Sequence, residues 1–236
     1  MEKTVLIHEN DKLHSQNNGE MNYLRKIGHE INNFLTVIQL RCEMLQMLVN
    51  GNDSAGKAIN QLFSNLSGFK QYANNLLFLG RYPANTKTPF DIERLLQDFT
   101  YTPQIKTLTG NRAITISGGE SALFVEANIE ILNALLSNIF YLITFGTSKT
   151  DPIDIEINDN IVQIEIVFTS KIITFPFEEF REYMQFHEIR DMQLNNKMII
   201  LLSIAIALKN LGGTAAAERE ANNTVALTVT LPKKDE

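Results

Sequence analysis

The chain has one cysteine, four scattered histidines and no long apolar run. A single thiol, Cys42, excludes an internal disulfide framework and points to a reducing cytoplasm. Placed at an apolar seam position, it reads as a small buried side chain. His8, His14, His29 and His187 are too dispersed for a metal cluster. The stretch His29-Glu30-Ile31-Asn32-Asn33 lacks the second imidazole that a His-Glu-x-x-His zinc helix requires. The longest apolar run, Met198 to Leu208, covers 11 residues, whereas a membrane-spanning helix needs roughly 20. The first twenty residues offer only the patch Val5-Leu6-Ile7 and no cleavage-site pattern. A soluble protein without a secretion signal is expected. There is no basic excess either: the net charge of -6 argues against nucleic acid as a partner. No internal repeat is visible.

What is present is an ordinary globular composition, 44% hydrophobic and 20% charged, over 236 residues, enough for two small domains. Residues 1–19 read as a polar arm. From Leu24, apolar or small residues recur at Gly28, Ile31, Leu35, Ile38, Cys42, Leu45 and Val49, in alternating steps of four and three. This spacing predicts a long helix, about Met21 to Val49, packed in a bundle. The turn Asn50-Gly51-Asn52-Asp53 ends it and caps a second helix from near Ser54. Ile59, Leu62, Phe63, Leu66, Phe69, Ala73, Leu76 and Leu77 give that helix a three-four spacing of its own. The two form a helical hairpin over 20–80, with enough apolar surface to dimerise into four helices. His29, Glu30 and Asn33 lie off the seam. At these offsets an imidazole, a carboxylate and a carboxamide are neighbours on one exposed helical face.

The segment 81–89 carries two prolines and no apolar period and reads as a linker. A second domain is expected over 90–236. Its order is helix (Phe90 to about Phe99), strands (Ala113–Ser117 and Ala122–Val125) and helix (about Asn128 to Phe145). Paired strands (Ile153–Ile157 and Ile161–Phe168), helices (Phe177 to about Phe186 and Asn195–Leu211) and a last strand pair (Thr214–Arg219 and Thr224–Leu231) follow. Helices mixed with largely antiparallel strands imply an α+β sandwich, helices packed on one sheet face.

Four segments in order resemble the cytoplasmic body of bacterial sensor histidine kinases, over roughly Met21 to Pro232. Gly28-His29-Glu30-Ile31-Asn32-Asn33-Phe34-Leu35-Thr36-Val37-Ile38 is similar to the family's H-box, which carries a phosphoacceptor histidine. Phe90-Asp91-Ile92-Glu93-Arg94-Leu95-Leu96 is similar to the helix opening its ATP-binding domain. Ala134-Leu135-Leu136-Ser137-Asn138-Ile139 is similar to its N-box, and Leu211-Gly212-Gly213-Thr214 with the terminal strands and Leu231-Pro232 to its closing segment. The resemblance implies a four-helix dimer followed by a Bergerat-type α/β sandwich.

The departures from that pattern bear on function. Where the family has an Asp-x-Gly-x-Gly loop that reads adenine, this sequence aligns Phe168, Ser170 and Ile172. Where a second glycine-rich loop should cradle phosphates, it has Asn196-Lys197-Met198-Ile199-Ile200-Leu201, which cannot supply glycine's positive φ. Phe168, Met198 and Ile200 are expected to fill the former nucleotide cavity. Asn138 alone does not hold ATP and magnesium. The resemblance thus narrows to histidine phosphotransferases of the ChpT type, kinase-like bodies with a degenerate ATP-binding domain, which pass phosphoryl groups between response regulators.

In this reading His29 is the nucleophile, since an imidazole can offer one ring nitrogen for attack while the other is held by a partner. Glu30 orients the second ring nitrogen, and Asn33 hydrogen-bonds phosphoryl oxygens or holds a water. Transfer then needs mainly positioning and charge stabilisation. Mg²⁺ on the partner receiver domain supplies the latter, so no cofactor or metal is expected on this chain. Val37, Leu40, Arg41 and Met44, with part of the second helix, form the expected receiver-docking surface. The partners implied are response-regulator receiver domains, a second copy of the chain and a hybrid histidine kinase, with neither nucleic acid nor membrane. Three alternatives stay open: a response-regulator phosphatase using Glu30 and Asn33, a binding-only pseudokinase, and a solvated His29 with no role. Gly118-Gly119 reads as a hairpin turn, and the aromatic run Phe175, Phe177, Phe180, Tyr183 and Phe186 as packing against the sheet.

Overall fold

The computed structural model describes residues 31, 33–48, 54–79, 86–110, 112–119, 121–145, 151–172, 175–185, 196–220 and 223–234. The expected arm at 1–19, the first helix before residue 31 with Leu24, Gly28, His29 and Glu30, and Val49 lie outside the described residues. So do His187, Phe186 and the centre of the expected linker, 81–85. The chain divides into two compact units, Met1–Tyr82 and Pro83–Glu236.

The first unit contributes helices α1 (residues 33–48) and α2 (Ser54–Leu79). On α1 the seam residues Leu35 and Cys42, seven apart, are buried, and Ile31 and Ile38 are half-buried. Leu45, expected on the same seam, is instead exposed. On α2, Ile59, Ala73 and Leu77 are buried and Leu66 half-buried. Leu62, Phe69 and Leu76, again at steps of seven, form a second, exposed stripe. The buried and exposed sets are the alternating positions of one three-four seam, so the exposed half of a single broad apolar face remains open to a helical neighbour.

The second unit runs β1 (Thr88–Asp91), α3 (Ile92–Thr100), α4 (Pro103–Thr109), β2 (Ile114–Ser117), β3 (Phe124–Ala127) and α5 (Ile129–Phe145). It continues with β4 (Ile153–Asp159), β5 (Gln163–Lys171), α6 (Phe177–Gln185), α7 (Asn196–Leu211), β6 (Thr214–Arg219) and β7 (Thr224–Pro232). The five-stranded sheet has the order β2-β4-β5-β7-β6, with β2 and β4 parallel and the other pairs antiparallel. β1 and β3 form a separate antiparallel pair. Ile164, Ile166 and Phe168 of β5 stand opposite Leu231, Val229 and Leu227 of β7, and all six are buried. The residues between them are half-exposed, so one face of the sheet holds the core and the other faces water. Helices α5 and α7 pack on each other, with α7 against β6 and β7.

Local chemistry sets the boundaries. Asp91 caps α3 by accepting from the Glu93 and Arg94 amides, at 3.1 and 3.3 Å. Thr102 caps α4, Pro103 occupies its first turn, and Gly110 closes it in the left-handed region at φ 62°. Asn128 caps α5 through the Glu130 and Ile131 amides. Gly212 ends α7 at φ 70°. A Cβ on Gly213 would stand 2.5 Å from the Thr230 carbonyl oxygen, so only glycine lets the chain enter β6 so close to β7.

The second unit departs from expectation in four places. Gly118-Gly119 makes no hairpin turn, because β2 pairs with β4 and β3 with β1, in separate sheets. A strand, β1, precedes the helix expected from Phe90, so Thr88 and Pro89 are in register with Ala127 and Glu126 rather than in a connection. Helix α4 was not expected. Val162, expected to begin the alternating strand, sits with Ile161 in the turn closed by the Asn160 amide on the Gln163 carbonyl, and Ile161 is 94% exposed.

Candidate functional site

Two places answer to the expected chemistry, one in each unit. On α1, Asn33 is exposed on a regular helix. From it, alternating steps of four and three lead through Val37, Leu40, Met44 and Met47, all exposed. These residues therefore share one strip of the helix, turned away from the buried Leu35 and Cys42. Phe34, Arg41, Leu45 and Leu48 form an adjoining strip and are exposed as well. Of the expected site residues, Asn33 is placed, whereas His29 and Glu30 lie outside the described residues. Met47 is the addition that sequence reasoning omitted, though its spacing from Met44 was the signal.

The described charge on these strips is Arg41, and neighbouring Glu43 accepts from the Gln39 side-chain amide at 3.1 Å. The rest is aliphatic, thioether and, at Phe34, aromatic surface, with one carboxamide at its head. Such a surface binds by burying apolar area around a polar point. Among the described residues, no three His, Cys, Asp or Glu side chains are grouped to hold a metal ion.

In the second unit, the positions aligned with a nucleotide pocket have definite surroundings. Phe168 is 1% exposed, and its ring meets Phe140 of α5 edge-on at 5.9 Å. Phe140 in turn lies 6.0 Å from Phe99 of α3, which ties helix, helix and sheet through three rings. No signal in the sequence paired these rings. Beyond Phe168 the backbone does not turn away. Thr169, Ser170 and Lys171 remain in register with Ala226, Val225 and Thr224 of β7. The Ser170 hydroxyl donates to the Pro152 carbonyl at 2.9 Å, and the buried Ile172 donates its amide to the Asn223 carbonyl at 3.1 Å.

The second aligned segment opens α7, so residues 196–201 are helical, with Ile199, Ile200 and Leu201 buried and Met198 half-buried. Asn138 is fully buried on α5 and donates its side-chain amide to the Ala134 carbonyl at 2.9 Å. This bond one turn back along its own helix occupies part of the polar capacity that a nucleotide site would use. At the exposed start of α7, Lys197 donates to Glu179 of α6 at 2.7 Å. This bond, ahead of any field effect, holds the Glu179 carboxyl below its ordinary value. No helix among the described residues is long and apolar enough to cross a membrane.

No family model and no curated protein matches the sequence. Solved structures do. The mycobacterial sensor histidine kinase MprB superimposes with a TM-score of 0.53 at 12% identity, over 64% of this chain and 100% of that one. The catalytic domain of histidine kinase ThkA gives 0.51 at 17% identity, over 64% and 99%. Longer matches take in the helical unit. Full-length ShkA in complex with AMPPNP gives 0.61 at 13% identity, over 91% of this chain and 46% of that one. ThkA in complex with the response regulator protein TrrA gives 0.56 at 18% identity, over 89% and 60%. At these identities the likeness is one of fold: the chain has a histidine-kinase-like fold, its sheet and helices arranged as in the catalytic domains of those kinases.

Proposed function

We propose that this chain is a histidine phosphotransferase of a two-component phosphorelay. It takes a phosphoryl group from the aspartate of one response-regulator receiver onto His29 and passes it to another, without using ATP. Strand β5 is the main support. At the position where the resembling kinases carry an adenine-reading aspartate, it has a buried phenylalanine, and it stays paired with β7 for three residues more. Helix α7 adds to this, since a helix with three successive buried aliphatic residues stands where a phosphate loop is aligned.

The exposed strip from Asn33 to Met47 supplies the docking surface for the receiver. ThkA, of like fold, has been captured with a response regulator. Docking there brings the acyl phosphate to the head of the strip. The imidazole nitrogen of His29 attacks phosphorus, the bond to the aspartyl oxygen breaks, and the carboxylate leaves. Glu30 orients the ring, and Asn33 donates a hydrogen bond to a phosphoryl oxygen. A second copy of the chain covers the stripe Leu62, Phe69 and Leu76 of α2, completing a four-helix bundle.

Labelled, phosphorylated receivers mixed with wild type and His29→Ala test the reading. Acid-labile label on the wild type alone is expected. Release of label as free phosphate supports instead a phosphatase, a reading to which the exposed carboxamide of Asn33 lends itself. Label left on every receiver leaves a binding-only role.

A further inference from the structure

The strip on α1 holds a chemical feature that phosphoryl transfer does not need. Met47 is 84% exposed and Met44 is 65% exposed, one helical turn apart. Leu40 and Leu48, both exposed, flank them. The other described methionines with placed side chains, Met184 and Met198, are half-buried in the second unit. An exposed thioether is open to two-electron oxidants, and oxidation makes an apolar, adaptable side chain polar.

We propose that Met44 and Met47 form a modification site for peroxide, and that their sulfoxides close the docking strip to receivers. The second half rests on the phosphotransferase reading. Each thioether sulfur attacks one oxygen of hydrogen peroxide. A sulfur–oxygen bond forms, the oxygen–oxygen bond breaks, and the displaced hydroxide leaves as water once protonated. Sulfur loses two electrons and the peroxide gains them. A methionine sulfoxide reductase reverses the change. On the helix, two side chains that would lie against a receiver then carry S=O groups that favour water. A docked complex has to desolvate them without a built-in donor.

The experiment treats the full chain with hydrogen peroxide, maps its tryptic peptides by mass and follows phosphoryl transfer from labelled receivers. Cleavage after Arg41 and Lys57 puts both methionines and Cys42 in one peptide, and fragment ions assign the oxygen to each residue. The expected result is oxidation of Met47 and Met44 ahead of Met184 and Met198. Transfer falls about tenfold, as loss of a buried apolar contact implies, and reductase restores it. The double variant Met44→Leu, Met47→Leu shows a rate, whatever its starting value, that peroxide does not move.

The proposal is overturned if Met184 and Met198 are modified first. It is also overturned if transfer persists with both sulfoxides formed, or if peroxide slows the leucine variant equally. A wild type that moves no label before peroxide refutes the phosphotransferase reading and the docking half with it, and the peptide map then decides the modification site by itself.

Discussion

Replacing Phe168 by alanine is the sharpest probe of whether β5 and α5 have closed over the aligned nucleotide position. The ring is 1% exposed, stands between Ile155 of β4 and Leu227 of β7, and meets Phe140 edge-on at 5.9 Å. Truncation removes the burial of one phenyl group and leaves a hole walled by a strand ladder and a helix that cannot easily collapse. Together these cost about 3–5 kcal/mol. For a unit of about 150 residues, Pro83–Glu236, each kcal/mol moves the midpoint by roughly 2–4 °C, so a fall of about 10 °C is expected. Thermal and urea unfolding followed by circular dichroism measure it, with ATP titrated calorimetrically into the wild type alongside. A cost below about 1 kcal/mol, or micromolar ATP binding by the wild type, refutes the closed-cavity reasoning.

Three further outcomes follow from the same geometry. Phe69→Lys, in the exposed stripe of α2, is expected to convert a dimer into monomers in light scattering at micromolar concentration, and a monomeric wild type contradicts the bundle. Gly213→Ala drives a methyl group to 2.5 Å from the Thr230 carbonyl oxygen and is expected to cost about 1–3 kcal/mol, whereas Gly119→Ala, with nothing within 4 Å, is expected to be near neutral in the same denaturant titration. Lys197→Met removes the hydrogen bond that holds the Glu179 carboxyl down. A depressed carboxylate adds stability above its unfolded-state value and loses it as pH falls through the folded-state value. The stability gap between wild type and Lys197→Met is therefore present at neutral pH and vanishes in acid. With both groups about half-exposed, it stays below about 1 kcal/mol, and the NMR titration of Glu179 moves upward in the variant.

The sheet was legible because its strands alternate. Ile153, Ile155 and Ile157 in β4, Ile164, Ile166 and Phe168 in β5, and Val225, Leu227, Val229 and Leu231 in β7 each give a period of two over enough residues to register. The helices α5 and α7 showed themselves by length and apolar content. Helix α4 spans only Pro103–Thr109, too short for a period, and its signal lay in its ends, a Thr-Pro start and a glycine stop. Strand β1 contains Pro89 and pairs on one side with β3, so neither propensity nor alternation marked it. Ile161 and Val162 are β-branched and look like strand, but the turn takes them and the register of β5 begins at Gln163. For the candidate site, spacing indicated that Asn33 lies off the seam, and the resemblance pointed to Val37, Leu40, Arg41 and Met44 as a docking surface; all five are exposed. Spacing did not indicate that Leu45 would leave the seam, since exposure depends on which neighbour a helix is given.

The three rungs beyond Phe168, where Thr169, Ser170 and Lys171 remain laddered to Ala226, Val225 and Thr224, bear on how such a chain can change over time. A point mutation alters a side chain, but a ladder is made of backbone. An aspartate at 168 would meet Phe140, and a glycine at 170 would still be held by β7. Converting this stretch into a loop requires several coordinated changes, each unfavourable until the others are present.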